Sequence, residues 1–156
     1  MADHVFESRV WVARPRPEVF SVVADPVRRA QLAPPALGLR LRAGPAVMAA
    51  GSVLDYDLRW LGLPVRWRAF IREWDPPFRF VDVQVWGPFA RWEHRLRCLA
   101  RADATCVEDR ITYRLPLGPL GRLVHAVAVR RQLETAWAYR RARLTELAEP
   151  VRRPAG

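Results

Sequence analysis

From Val5 to Val12 the chain alternates, with Phe6, Ser8, Val10 and Val12 on one side and Glu7, Arg9 and Trp11 on the other. Period two of this kind predicts a half-buried strand. Pro15 and Pro17 follow and suit a helix entrance, where a missing N–H costs nothing. Val19, Phe20, Val22 and Val23 then form an apolar stripe that Asp25-Pro26 interrupts. A second short helix is expected over Val27 to Leu32, stopped by Pro34-Pro35.

From Leu39 the period changes to two and stays there. After a short strand around Leu39–Arg42, Val53 to Trp60 puts Leu54, Tyr56, Leu58 and Trp60 on one face. Beyond a turn at Gly62–Pro64, Val65, Trp67, Ala69 and Ile71 oppose Arg66, Arg68, Phe70 and Arg72. Asp75-Pro76-Pro77 turns the chain into Phe78 to Trp86, a strand with apolar side chains on both faces. Gly87-Pro88 leads into Ala90 to Ala100, and a tight turn at Ala102-Asp103 into Thr105 to Leu115. That turn pairs Trp92 with Tyr113, His94 with Ile111, Leu96 with Asp109 and Cys98 with Val107. Arg97 then faces Glu108 on the opposite side, a sensible solvent face. Consecutive half-buried strands with short turns predict an antiparallel meander. Ala126, Val129, Leu133, Trp137, Leu144 and Leu147 recur at helical spacing, and no Gly or Pro follows Gly121 until the tail. One terminal helix from Pro119 to about Leu147, about 42 Å long, is expected to cross the sheet.

Composition sets bounds on this picture. The 156 residues fit a single domain, expected over 1–149, with a flexible tail over 150–156. The 26 basic residues against 16 acids give a net charge of +10, and all 26 are Arg. Lys and Asn are both missing, which looks like a GC-rich coding bias, since Lys binds phosphate well. Arginines and aromatics mostly alternate to opposite faces, so no nucleic-acid partner is expected. No apolar run approaches the ~20 residues of a membrane span, and MADHVFESRV lacks the apolar core of a secretory signal. A cytoplasmic protein with reduced thiols is expected. Cys98 and Cys106 face opposite sides, and no spacing of Cys and His suggests a metal.

One strand, two short helices, six more antiparallel strands and a long terminal helix is the element order of a helix-grip fold, class α+β. In such a fold a curved sheet wraps around the last helix. The chain resembles the START-like or SRPBCC superfamily of polyketide cyclases, lipid-transfer domains and coenzyme-Q-binding proteins. The resemblance is carried by Arg16-Pro17-Glu18-Val19-Phe20 with Asp25-Pro26, by Trp74-Asp75-Pro76-Pro77, and by Gly87-Pro88-Phe89 with Trp92-Glu93-His94. It continues through Asp109 and Tyr113-Arg114-Leu115-Pro116 to Arg131-Gln132-Leu133 and Tyr139-Arg140. These residues mark turns, core positions and caps rather than a reaction.

The resemblance implies a pocket between sheet and terminal helix. The expected lining is Tyr56, Leu58, Trp60, Trp67, Ile71, Trp92, Leu96 and Ile111 from the sheet, with Val129, Leu133 and Trp137 from the helix. Such walls suit a small hydrophobic ligand such as a lipid, quinone or polyketide, with no cofactor required. His94 lies a diagonal step from Asp109, and with Tyr113 the pair offers a cyclase or dehydratase an acid–base group. Against this stands a hydrogen-bonded core histidine, with Asp109 held by an arginine. His4 and His125 read as surface residues. Of Arg130, Arg131, Arg140, Arg141 and Arg143, one turned inward would meet an anionic head group. Attraction to an anionic membrane surface is the other partner consistent with the charge. Binding, catalysis in the same cavity and nucleic-acid recognition stay open, in that order.

Overall fold

The structure is a computed structural model that describes residues 2–148, with side chains through residue 146. The tail expected over 150–156 and the side chain of Leu147 lie outside the described residues.

Strand β1 (His4–Val12) is followed by α1 (Arg16–Val23) and α2 (Pro26–Gln31), then a single 3-10 turn at Pro35–Leu37. Six strands come next: β2 (Arg40–Ala43), β3 (Val53–Trp60), β4 (Leu63–Asp75), β5 (Arg79–Trp86), β6 (Arg91–Arg101) and β7 (Ala104–Arg114). The antiparallel sheet has the order β1-β7-β6-β5-β4-β3-β2, so only β1 joins out of sequence. Chemistry at the turns explains the local choices. Asp25 caps α2 by accepting from the Val27 and Arg28 amides at 2.9 Å, and Pro26 occupies the first turn. Leu61 and Gly62, both at positive φ, make the two-residue turn between β3 and β4.

The β6–β7 register is the one that alternation predicts, with Trp92 opposite Tyr113 and Leu96 opposite Asp109. β5, with apolar residues on both faces, pairs with β4 through two register shifts, one leaving Val85 of β5 and the other Arg72 of β4 as the extra residue. Bulges of this kind bend and twist the sheet. Phe80 and Asp82 therefore stand beside Leu96 and His94 on the inner face.

The terminal helix differs from the uninterrupted α-helix expected. It comprises α3 (Gly118–Val124), a π-helical segment (His125–Val129) and α4 (Arg130–Ala148). Gly121 sits where α3 folds back on the end of β7, and a Cβ there would lie 2.2 Å from the Pro116 carbonyl oxygen. At the π segment His125 is half-buried, which corrects its reading as a surface residue. Its ring stacks on His4 at 3.7 Å, and its Nε2 lies within hydrogen-bond distance of the Tyr113 hydroxyl at 2.6 Å.

Three apolar clusters fill the interior. One joins α1 to Phe80, Leu96, Val107 and Leu144; a second joins Ile111 and Tyr113 to Val129 and Leu133; a third gathers Leu54, Tyr56, Ala69 and Ile71. On the outer face acids take up many of the arginines, as in Arg97–Glu108 at 2.6 Å and Arg68–Asp55 at 2.7 Å. Such exposed pairs add little to stability, but they offset charge on the sheet exterior. Cys98 and Cys106 are both buried and free, and burial pushes the Cys98 thiol up to about 12. No helix among the described residues is long and apolar enough to cross a membrane.

Candidate functional site

The inward positions of neighbouring strands line one cavity. β3 contributes Tyr56, Leu58 and Trp60, β4 Trp67 and Ala69, β5 Asp82, and β6 Trp92 and His94. α2 and the segment after it close one side with Arg29, Leu32, Ala33, Leu37 and Leu39. From α4 come Gln132, Leu133, Ala136, Trp137 and Arg140, whose spacing is that of one helix face. The cavity is partly open to solvent and measures about 160 Å³. A dry cavity of about 150 Å³ holds a benzene ring, so the room here is that of one small flat molecule. Four of the seven tryptophans stand in its wall.

Its deep end is ionic. His94 Nε2 lies 2.7 Å from Asp109 Oδ1, and His94 Nδ1 lies 3.3 Å from Asp82 Oδ2. Arg29 donates to the same Asp82 oxygen at 3.0 Å, and Arg140 donates to Asp109 at 3.3 Å. Burial would discharge the His94 ring, but carboxylates on both of its nitrogens raise its pKa above the ordinary imidazole value. Burial would likewise raise Asp82, yet Arg29 and His94 hold it down to about 2. Asp109 is lowered for the same reason, with Arg140 as the leading attraction. Arg29 Nη2 also stands 3.4 Å from Nδ1, and with a carboxylate at each nitrogen the ring donates twice when it is protonated. The cluster then holds three cations and two carboxylates, one positive charge in excess.

Four buried polar atoms have no partner among the described residues: Tyr56 Oη, Gln132 Oε1, Trp137 Nε1 and Arg140 Nε. All four belong to residues of the cavity wall. The Trp137 N–H leans toward Asp109 without closing a hydrogen bond of ordinary geometry. A buried unpaired polar group costs about 1–3 kcal/mol. Four around one cavity is an arrangement that a ligand with oxygen or nitrogen at its edge would relieve. Among the described residues no group of His, Cys, Asp and Glu is arranged to hold a metal ion.

No protein-family model and no curated protein sequence matches the chain. Solved structures do. The Zhui aromatase/cyclase from Streptomyces sp. R1128 superimposes with a TM-score of 0.73 over 99% of both chains, at 18% identity. A START superfamily protein from Mycobacterium smegmatis gives 0.69 over 92% of this chain and 99% of its own, at 18% identity. The di-domain aromatase/cyclase StfQ of the steffimycin pathway gives 0.73 over 94% of this chain and 50% of its own, at 15% identity. This is the START-like helix-grip fold. At these identities the likeness speaks for the fold alone.

Within the helix-grip frame the residues singled out by sequence divide. Tyr56, Leu58, Trp60, Trp67, Trp92, His94, Leu133 and Trp137 meet at the cavity wall. Ile71, Leu96, Ile111 and Val129 do not; they are buried in the clusters behind it, because the sheet's curvature packs them against one another or the helix. Asp109 also stands behind the wall, bonded to the wall residues His94 and Arg140. Tyr113 points elsewhere, its hydroxyl engaged by His125 and held at a pKa of about 12 by burial. Sequence reasoning passed over Asp82, Arg29 and Gln132. Asp82 left a signal, a lone acid within Phe80-Val81-Asp82-Val83. Arg140 left a clearer one, a charge on the Leu133, Trp137, Leu144 stripe, and it is the helix arginine that turns inward.

Proposed function

We propose that this protein binds a small, flat, largely apolar molecule carrying an oxygen at one edge, held between sheet and terminal helix. The observation that carries this reading is the aromatic cavity ending on an ionic cluster, with four unpartnered polar atoms on its wall. Tryptophan faces favour a planar ring system. The excess positive charge favours a carbonyl, enol or acidic hydroxyl oxygen at the deep end. Of the ligand classes the sequence offers, the volume suits a quinone or a small polyketide-type ring better than an acyl-chain lipid.

A second reading, a cyclase or dehydratase working in the same cavity, is supported by the aromatase/cyclase names of two similar structures. A general base needs a free lone pair, and both nitrogens of His94 already face carboxylates. The cluster is therefore better suited to polarising a bound oxygen than to removing a proton. Holding the ligand is the simpler role.

The test is a tryptophan fluorescence titration with one- and two-ring quinones, phenols and aromatic ketones. Saturable quenching is expected for at least one class. Ala136→Trp fills the cavity and should abolish it, whereas Ala138→Trp, exposed on the same helix, should leave it unchanged. Equal responses from wild type and Ala136→Trp would remove the cavity from the account. A time-dependent change in the ligand's own absorbance would favour the catalytic reading.

A further inference from the structure

The antiparallel order brings three chain segments to one end of the sheet: the β3–β4 turn, the β5–β6 connection and the start of the terminal helix. Ring contacts tie them together. Trp60 packs on Phe89 at 4.9 Å, Phe89 on Tyr113 at 5.7 Å, and Tyr113 is bonded to His125. Around this aromatic tie the outward side chains are apolar. Leu61 and Leu63 at the hairpin, Trp86 on β5, and Leu120, Leu123 and Val127 along the helix are between 45% and 69% exposed. The helix residues fall on one face by their spacing. The hairpin also projects, since β5 joins β4 only from Arg68 onward and the pairing of β3 with β4 continues to Trp60 and Leu63.

Backbone conformation supplies a second, independent observation. Among the described residues three non-glycine residues have positive φ, and two of them are exposed leucines at this end, Leu61 at 50° and Leu117 at 74°. Asn or Gly is the comfortable residue in such places, so each leucine is kept there at a conformational cost. Neither leucine recovers that cost by burial.

Charge identifies the occupant. Arg59 and Arg66, on the outer face of the same hairpin, and Arg122 on the helix are exposed at this end and make no ion pair with any described residue. Glu134, the nearest acid along the helix, is already paired with Arg130 at 3.1 Å. Protruding Leu and Trp side chains with unpaired arginines around them match the interface of an anionic bilayer, where apolar groups enter the acyl boundary and arginines meet phosphate. The geometry points to this end of the molecule as a docking face for anionic membranes. Trp60, Trp67 and Trp92, which line the same end of the cavity, then stand directly behind the docked surface. An apolar ligand drawn from the bilayer has a short path to the cavity. That path depends on the ligand-binding reading; the docking itself does not.

Co-sedimentation with vesicles tests the docking, using pure phosphatidylcholine and an equimolar mixture with phosphatidylglycerol. Binding is expected to the mixture and not to pure phosphatidylcholine, and to weaken with salt. The double variant Leu120→Asp/Leu123→Asp should lower apparent affinity at least about tenfold. Arg66→Gln/Arg122→Gln should flatten the salt dependence. All four sites are exposed, so unchanged circular dichroism is expected to show that the fold survives. Ala136→Trp should bind vesicles like wild type, which separates docking from occupancy of the cavity. Absence of wild-type binding, or equal binding by the leucine variant, overturns the proposal. So does self-association without vesicles that the leucine substitutions abolish, since it would assign the face to a second copy.

Discussion

His94 organises the deep end of the cavity because it bridges two carboxylates that would otherwise repel each other. Its raised pKa carries a defined sign. The stabilisation is complete below the ordinary imidazole value of 6.5 and is lost as pH rises through the elevated value in the folded protein. Asp82 acts in the opposite direction. Its contribution is present above the ordinary carboxylate value of 3.8 and disappears as pH falls toward about 2. Denaturant midpoints should therefore be highest on the mildly acidic side of neutrality and decline toward alkaline pH, and the alkaline decline should vanish in His94→Gln. A midpoint that rises through neutrality in wild type would show that the ring is not charged. Asp82→Ala strands the buried Arg29 guanidinium, a loss of about 3–5 kcal/mol by analogy with other broken buried pairs. Denaturant unfolding would measure it. At this scale the sequence was only partly legible. Arg140 betrayed itself as a charge on an apolar stripe, but Arg29 is indistinguishable from its neighbour Arg28 until α2 is placed. Asp82 was obscured because Phe80 and Trp86 on one face of β5 and Val81, Val83 and Val85 on the other leave no alternation to single out the buried side.

Among elements, the terminal helix depends on its start. Gly121 lets α3 approach the end of β7, and any Cβ there meets the Pro116 carbonyl at 2.2 Å. Gly121→Ala should cost about 1–3 kcal/mol through overpacking, seen as a fall in thermal midpoint of about 2–4 °C per kcal/mol. An unchanged midpoint would mean that the helix start moves freely. Beyond it, the π segment re-aims the helix so that His125 reaches Tyr113 while Val129 turns fully inward. Strand boundaries and the β6–β7 register could be read from alternation, since a one-residue slip would have exchanged the core and solvent faces. The π segment could not be read. A single extra residue per turn leaves the apolar spacing of Ala126, Val129 and Leu133 helical in appearance, and the contacts His125 makes there are tertiary ones, to Tyr113 on β7 and His4 on β1.

For the molecule as a whole, the net charge of +10 resolves into unlike parts. Many outer-sheet arginines are matched by acids, Arg29 and Arg140 are buried in the ionic cluster, and Arg59, Arg66 and Arg122 make no ion pair with any described residue. Composition alone could not separate these groups, because the separation depends on which strands pair. Length and element order were more informative, and they lead to the helix-grip fold that the solved structures share. The most direct test of the ligand-binding account is native mass spectrometry of freshly purified protein beside Ala136→Trp. The account predicts that wild type carries or takes up one small apolar molecule per chain, from endogenous sources or an added quinone or phenol, and that Ala136→Trp carries none. Identical bare masses for both proteins across that panel would contradict it.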